Sequence, residues 1–359
     1  MKNFVLFFYK HLTGIQVLIN FSIYNKKNQR VFYGGARKGN IGGTLVKIKR
    51  LMNYFPKKNF FFNLVYVLSN SPYLPKYALN LLKKRKIPII HNQNGVFYPA
   101  WYNGNYKKMN KIMALQYNRA DYIFFQSQFC KFVAEKFLGK CNCNNEILYN
   151  AVDTSFFIPR KNHDFSNTFI MLITGKFNEG HYYHLKNSIV AIKKVTFKDK
   201  DIKFHIAGKL TRRLYKKINN LIINLNLKNR IKMIGTYKQS NANFIYQKAD
   251  AFIYMAHNAP CPNSVIEAMS SGLPILYSNS GGLPELVGID CGVPLEVENN
   301  YDYAICPTPD KISEGIVKII VNHKKFSQNS RKKATTFFSI EKWIERHRIV
   351  FENLLKNEK

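Results

Sequence analysis

Short apolar runs alternate with longer amphipathic stretches along most of this chain, in two series. In the first, apolar runs of strand length fall at residues 31–33, 63–68, 87–91, 122–126 and 147–149. Between them, residues 44–54, 74–84, 106–119 and 128–137 repeat apolar positions three and four apart, the spacing of a helix with one buried face. The second series begins near residue 168. Its strands are expected at 169–174, 202–207, 231–234, 251–254 and 274–277, and its helices at 185–195, 214–225, 242–247, 264–270 and 283–287. A helix over 311–321 closes this series, and an amphipathic helix over 340–355 ends the pattern. Strands that alternate with helices imply parallel sheets with helices on their faces. The fold class is therefore α/β, with two doubly wound domains.

The division expected is an extension over residues 1–28, a domain over 29–160, a second over 161–336 and a last helix over 337–359. The stretch 153–166, with Pro159 among polar residues, is the link. Open α/β sheets bind ligands outside the carboxyl ends of their strands, where the strand order reverses. Two such domains would line a cleft with those ends. The extension is apolar over residues 1–24, but Lys10 and His11 interrupt it. Its uninterrupted runs are too short to span a bilayer, and no small-residue cleavage site follows. It is read as a packed helix or as an interfacial segment.

The chain has 359 residues, 46% of them hydrophobic, enough to build two cores and to exclude disorder. Its 55 Lys and Arg against 21 Asp and Glu give a formal charge of +34. Abundant Lys, Asn, Ile, Phe and Tyr together indicate a compositional bias, and the charge adds attraction to phosphates or to an anionic membrane surface. The basic and aromatic run at residues 57–62 reads as a charged turn before a strand, so no specific nucleic acid partner is expected. Six cysteines are too few for a disulfide scaffold and read as reduced thiols in a cytoplasmic protein, peripheral contact with the membrane inner face being the alternative. No metal and no cofactor are expected. His181 and His184 lack a third ligand, and Asp199-Lys200-Asp201, which spells D-x-D, precedes a strand and reads as a solvated turn.

The chemistry concentrates between Cys261 and Gly288. Pro262-Asn263-Ser264 precedes a helix that Asn263 or Ser264 can cap, and its first amides offer a phosphate site. Glu267 sits one turn inside, where a carboxylate can accept hydrogen bonds from the vicinal hydroxyls of a ribose. Gly281-Gly282 lets backbone approach a ligand before another short helix. In the first domain, the glycine-rich loop from Gly34 to Gly43 suits close approach to a phosphate but is neither G-x-G-x-x-G nor a P-loop. The polar run His91-Asn92-Gln93-Asn94 at a strand's carboxyl end points toward a cleft.

These residues resemble the retaining glycosyltransferases of the GT-B fold, specifically family 4, over roughly residues 30–355. Residues 261–288 look like that family's donor-binding signature. Residues 149–159 (YNAVDTSFFIP) are similar to its "NGVDxxxFxP" linker, and residues 338–343 (FSIEKW) to the "FSWE" that leads into a last helix crossing back to the first domain. His205-Ile206-Ala207-Gly208 and residues 231–254 match two further segments.

The resemblance implies two Rossmann-like domains facing across a cleft. It implies transfer of a sugar from a UDP-, GDP- or ADP-sugar, with retention and without a metal ion, to a glycan or lipid-linked acceptor. Glu267 would match the second Glu of "E-x7-E" and hold the donor ribose, while the first falls at Ala259, a departure. Lys176, after Gly175, would offset the diphosphate charge, with His181 or Lys186 at the second basic position. Gly42, Gly43, Gly281 and Gly282 would face the donor, Gly208 and Tyr237 would border the base, and Pro262, Asn263 and Ser264 would open the donor helix. Asn94 stands where the family has His, and Asn94 with neighbouring His91 completes the candidate catalytic set. The competing reading is a catalytically degenerate GT-B protein that binds a nucleotide or polyanion without turnover.

Overall fold

The computed structural model describes residues 2–20, 28–39, 43–161, 167–198 and 200–356. The chain divides into two compact units, Met1–Tyr149 with Glu341–Lys359, and Asn150–Ile340.

The first unit has a five-stranded parallel sheet in the order β1 (Val31–Phe32), β2 (Leu64–Leu68), β3 (Ile89–Gln93), β4 (Tyr122–Phe125), β5 (Asn144–Ile147). β2 and β3 are buried at every position, as central strands covered on both faces require. One face carries α1 (Lys2–Leu18), α3 (Lys76–Lys84) and α4 (Tyr106–Tyr117), and Val17, Leu79, Leu82, Val65 and Ile89 form the core there. The other face carries α2 (Gly43–Tyr54) and the final helix α13 (Ile340–Lys356). His347 of α13 bonds Tyr66 of β2 at 3.1 Å, and Phe351 packs on Phe55. Asn105 caps α4, and Ser127 caps α5 (Gln128–Leu138), each accepting a backbone amide. The fifth strand was expected at residues 147–149 and lies earlier. Asn144-Asn145-Glu146 is a half-exposed edge, which tolerates polar residues and shows no apolar run.

The second unit has six parallel strands: β6 (Thr168–Phe177), β7 (Asp201–Leu210), β8 (Ile231–Gly235), β9 (Ala251–Tyr254), β10 (Ile275–Ser278) and β11 (Gly292–Leu295). Their order is β11-β10-β9-β6-β7-β8. Relabelled from the first strand of this unit, that is the 3-2-1-4-5-6 arrangement of a Rossmann fold, with the order reversing between β6 and β9. The helices are α6 (Tyr182–Lys194), α7 (Arg212–Asn224), α8 (Ala242–Gln247), α9 (Asn263–Ser270), α10 (Leu283–Leu286), α11 (Pro309–Val321) and α12 (His323–Phe337). Phe169, Met171, Ile173, Leu185, Ile189 and Ile316 stand in its core.

β6 and β7 pair in register along all ten residues, so Gly175, Lys176 and Gly208 lie in strands rather than in the loops expected after residues 174 and 207. β11 and α12 escaped the apolar pattern. β11 is four residues with Pro294 at an edge, and α12 is polar apart from a narrow stripe of His323, Phe326, Ser330 and Ala334. The segment after Tyr149 and the run at residues 338–340 pair with each other: Val152 N–H donates to Phe338 O and Ile340 N–H to Val152 O.

Candidate functional site

In the second unit the candidate residues gather along the carboxyl edge of the sheet, on both sides of the β6/β9 reversal. Gly175 and Lys176 end β6, both exposed, and Gly208 lies beside Gly175 on β7. A Cβ on Gly208 would stand 1.9 Å from Gly175 O, and its φ of +124° is one only glycine adopts easily. The glycine thus serves close contact between the two strands.

α9 follows β9. Pro262 is its N-cap, and no side chain caps it, so the capping expected of Asn263 or Ser264 is corrected: both lie inside the helix, where their side chains cannot reach back to the first amides. Asn263 Oδ1 is buried and lacks a hydrogen-bond partner among the described residues.

Glu267, half-buried one turn into α9, accepts a hydrogen bond from Tyr246 Oη at 2.9 Å. Tyr246 is fully buried, and its oxygen lies 2.9 Å from Thr174 Oγ1 on β6. Since the Tyr246 proton goes to the carboxylate, Thr174 is the donor of the second bond. Tyr237, just after β8, belongs to the same group. Its hydroxyl is pushed up to about 12 by burial first and then by the Glu267 charge, with a hydrogen bond to Thr174 opposing. The site is thus three hydroxyl side chains around one carboxylate, drawn from β6, the loop after β8, α8 and α9. Thr174 and Tyr246 were not singled out in the sequence. The available signal was Tyr246-Gln247-Lys248-Ala249-Asp250, in which Asp250 also accepts from Ile170 N and Arg160 and so anchors β6.

Gly281, at φ +64°, lies against the Asn258–Ala259 backbone, which a Cβ would meet at 2.6 Å, and Gly282 N–H donates to Ala259 O at 2.9 Å. The close approach expected toward a ligand is here an approach to the chain itself, at the position where the resemblance placed the first Glu. Lys186 is exposed on α6. His181 Nδ1 is taken up with Asn178 in a capping box. His184 is buried and lowered to about 3 by desolvation, so it stays neutral.

In the first unit, Asn94 is half-buried after β3. Its amide donates to Ser69 Oγ, and its Oδ1 lacks a partner among the described residues. His91 is fully buried, 2.7 Å from Gln93 Oε1, and desolvation lowers it to about 4. That burial sets it inside the sheet, not at the exposed strand end where the candidate catalytic set expected it. Gly43 opens α2, exposed, whereas Gly42 and Asp199 lie outside the described residues. Among the described residues of this loop, Gly34 and Gly35 have positive φ, +55° and +83°, and pack on Val67 and Thr13. Among the described residues, no group of three His, Cys, Asp or Glu side chains could hold a metal ion, and no helix is long and apolar enough to cross a membrane.

The sequence profile of the glycosyl transferases group 1 family matches residues 155–335, half of the chain, and this chain belongs to that family. An uncharacterized glycosyltransferase of Methanocaldococcus jannaschii is 26% identical over 219 residues, 59% of this chain. The match spans about half of that relative, 52% of its length. Among solved structures, a glycosyltransferase from Rickettsia africae superposes with a TM-score of 0.63 at 17% identity, covering 90% of this chain and 84% of that one. The Anabaena protein HepE, in complex with UDP and glucose, has a TM-score of 0.63 at 15% identity, covering 86% and 81%. The fold is GT-B, with two parallel-sheet α/β Rossmann-like domains.

Proposed function

We propose that this protein is a retaining, metal-independent glycosyltransferase of family 4 that moves a sugar from a nucleotide-sugar to a glycan or lipid-linked acceptor. The observation that carries the reading is Glu267 at the strand-order reversal, oriented by the Tyr246 hydroxyl. A carboxylate held there accepts from the vicinal hydroxyls of a ribose. The uncapped start of α9 and Lys176 hold the diphosphate, whose departure needs positive charge. Asn263 Oδ1, buried without a partner among the described residues, takes a sugar hydroxyl, which removes the cost of an unmet acceptor. Gly175 and Gly208 leave room for the nucleotide, Tyr237 borders the base, and Lys186 adds charge.

Ala259 favours the second reading, a degenerate GT-B protein that holds a nucleotide without turnover. Its side chain is buried and its carbonyl is occupied by Gly282, so no side chain reaches the donor sugar from that position. Thermal shift with UDP, GDP and ADP tests both readings at their root: one nucleotide raises the melting temperature. Slow release of that nucleotide from its sugar conjugate, unchanged by EDTA, then supports the enzyme. Tight binding with no release, with or without candidate acceptors, supports the degenerate form. No shift with any nucleotide overturns both.

A further inference from the structure

The first helix is packed inside out for a protein surrounded by water. α1 turns Thr13, Gly14 and Val17 inward, and Asn20, just past its end, is buried as well. Tyr9 donates its hydroxyl to Gly35 O, and its ring meets the edge of Tyr73 at 5.1 Å. Asn20 exchanges two hydrogen bonds with the Phe62 backbone, both 3.0 Å. Arg85 donates to the carbonyls of Val17, Leu18 and Asn20, which close the helix. One side of α1 is thus fastened by small and polar groups. The other side presents Phe4, Phe7, Phe8, Leu12 and Ile15, with Phe4 67% and Leu12 61% exposed. A helix packed on a core in water directs its most apolar stripe inward. This one directs it outward.

The part of the chain that forms and flanks α1 is almost wholly basic, its first acid being Asp121, which pairs with Lys83 of α3. Residues 1–120 contain 21 Lys and Arg and no Asp or Glu. A compositional bias that raises lysine throughout a chain does not strip acids from one third of it. Lys76, Lys84 and Lys86, all exposed, lie on or just after α3, the helix on which α1 packs. Tyr77, next to Lys76 in sequence and 40% exposed, stacks near His11 of α1. An apolar stripe beside a basic rim matches the depth profile of an anionic bilayer surface. At 17 residues α1 is about 26 Å long, short of the roughly 30 Å hydrocarbon core, so it fits in the plane of the interface.

We infer that the exposed face of α1, with the α3 lysines beside it, seats this protein on an anionic phospholipid bilayer, with the helix lying in the interface. The test is flotation of the full chain with vesicles of phosphatidylcholine alone or of phosphatidylcholine with phosphatidylglycerol, at low and high salt. Binding to the anionic vesicles is expected to exceed binding to the neutral ones about tenfold or more, and to weaken in high salt. Phe8→Asp with Leu12→Asp is expected to lower it about tenfold, with the thermal melt and the nucleotide response unchanged. Should that variant not fold, Lys76→Glu with Lys84→Glu carries the test, with several-fold weaker binding expected. Wild-type protein that ignores anionic vesicles, or variants that bind as well as wild type, would overturn the inference. So would a concentration-dependent dimer that Phe8→Asp with Leu12→Asp abolishes without any vesicle binding, because the stripe would then belong to a second copy.

Discussion

Tyr246 donates to Glu267 Oε2 at 2.9 Å and accepts from Thr174 at the same distance, so one buried hydroxyl ties α9 to the first strand of its sheet. That bond sets the direction in which the carboxylate faces. Glu267→Gln is expected to weaken binding of the cognate nucleotide at least tenfold by calorimetry. Tyr246→Phe keeps the ring packing and loses the donor. A smaller loss of about 1–2 kcal/mol is expected from it, because the carboxylate remains and loses one hydrogen bond. Equal affinity in wild type and Glu267→Gln would remove the ribose role.

Gly208 and Gly235 make a matched pair in the second unit. Both have positive φ, at +124° and +79°. A Cβ on Gly235 meets nothing within 4 Å, whereas one on Gly208 collides with the Gly175 backbone. Gly235→Ala is expected to cost about 1 kcal/mol of backbone strain. Gly208→Ala adds an overlap that only strand separation relieves, and is expected to cost roughly 3 kcal/mol or more. Urea unfolding of the two variants checks the difference, and equal midpoints would contradict it.

Arg331 holds three carbonyls on two other stretches of chain with one guanidinium. It donates to Phe157 O at 2.8 Å, to Ser270 O at 2.7 Å and to Thr154 O at 3.0 Å. It therefore joins the linker to the carboxyl end of α9. Arg331→Ala strands these carbonyls and is expected to lower stability by about 2–4 kcal/mol. Arg331→Lys recovers only part, since an ammonium lacks the planar fork. Melting temperatures in the order wild type, Lys, Ala are the expected result.

Three buried histidines make the protein acid-sensitive. Desolvation lowers His91 to about 4 and His184 and His347 to about 3, from 6.5. His347 is also bound on both sides, to Trp343 O and Tyr66 Oη, which suits the neutral ring. Below pH 6.5 the unfolded chain takes up protons that the folded one refuses. The stabilisation is therefore full above that pH and is lost as pH falls toward the native values. Between pH 7 and 5 each histidine is expected to remove roughly 2 kcal/mol. Urea midpoints across that range should fall steeply, and less steeply in His347→Phe, whose stability at pH 7 is lower. An unchanged slope in that variant would refute the assignment to His347.

Long periodic segments were legible without coordinates, and short or polar ones were not. The helices on both sheets, the central strands and the order of the two series follow from apolar spacing, because burial of one face imposes a period that any window of a dozen residues displays. β5, β11 and α12 did not announce themselves: edge strands and a helix with a narrow buried stripe need little hydrophobicity, and the neighbours that stabilise them lie far along the chain. The family signature in residues 261–288 was readable because its backbone requirements, a helix start and paired glycines, are local.

The sequence by itself therefore determined the α/β class, the family resemblance and the choice of Glu267 as the candidate carboxylate. Only the tertiary structure decided what surrounds that carboxylate. Tyr246 bonds it directly, Thr174 bonds Tyr246 and Tyr237 feels its charge, and no spacing along the chain encodes a meeting that parallel strand order creates. It also decided that His91 is closed to solvent, that Gly281 packs on its own chain, and that α1 wears its apolar face outward. Burial is a property of what packs against a residue, and for these residues the packing partners are distant in sequence.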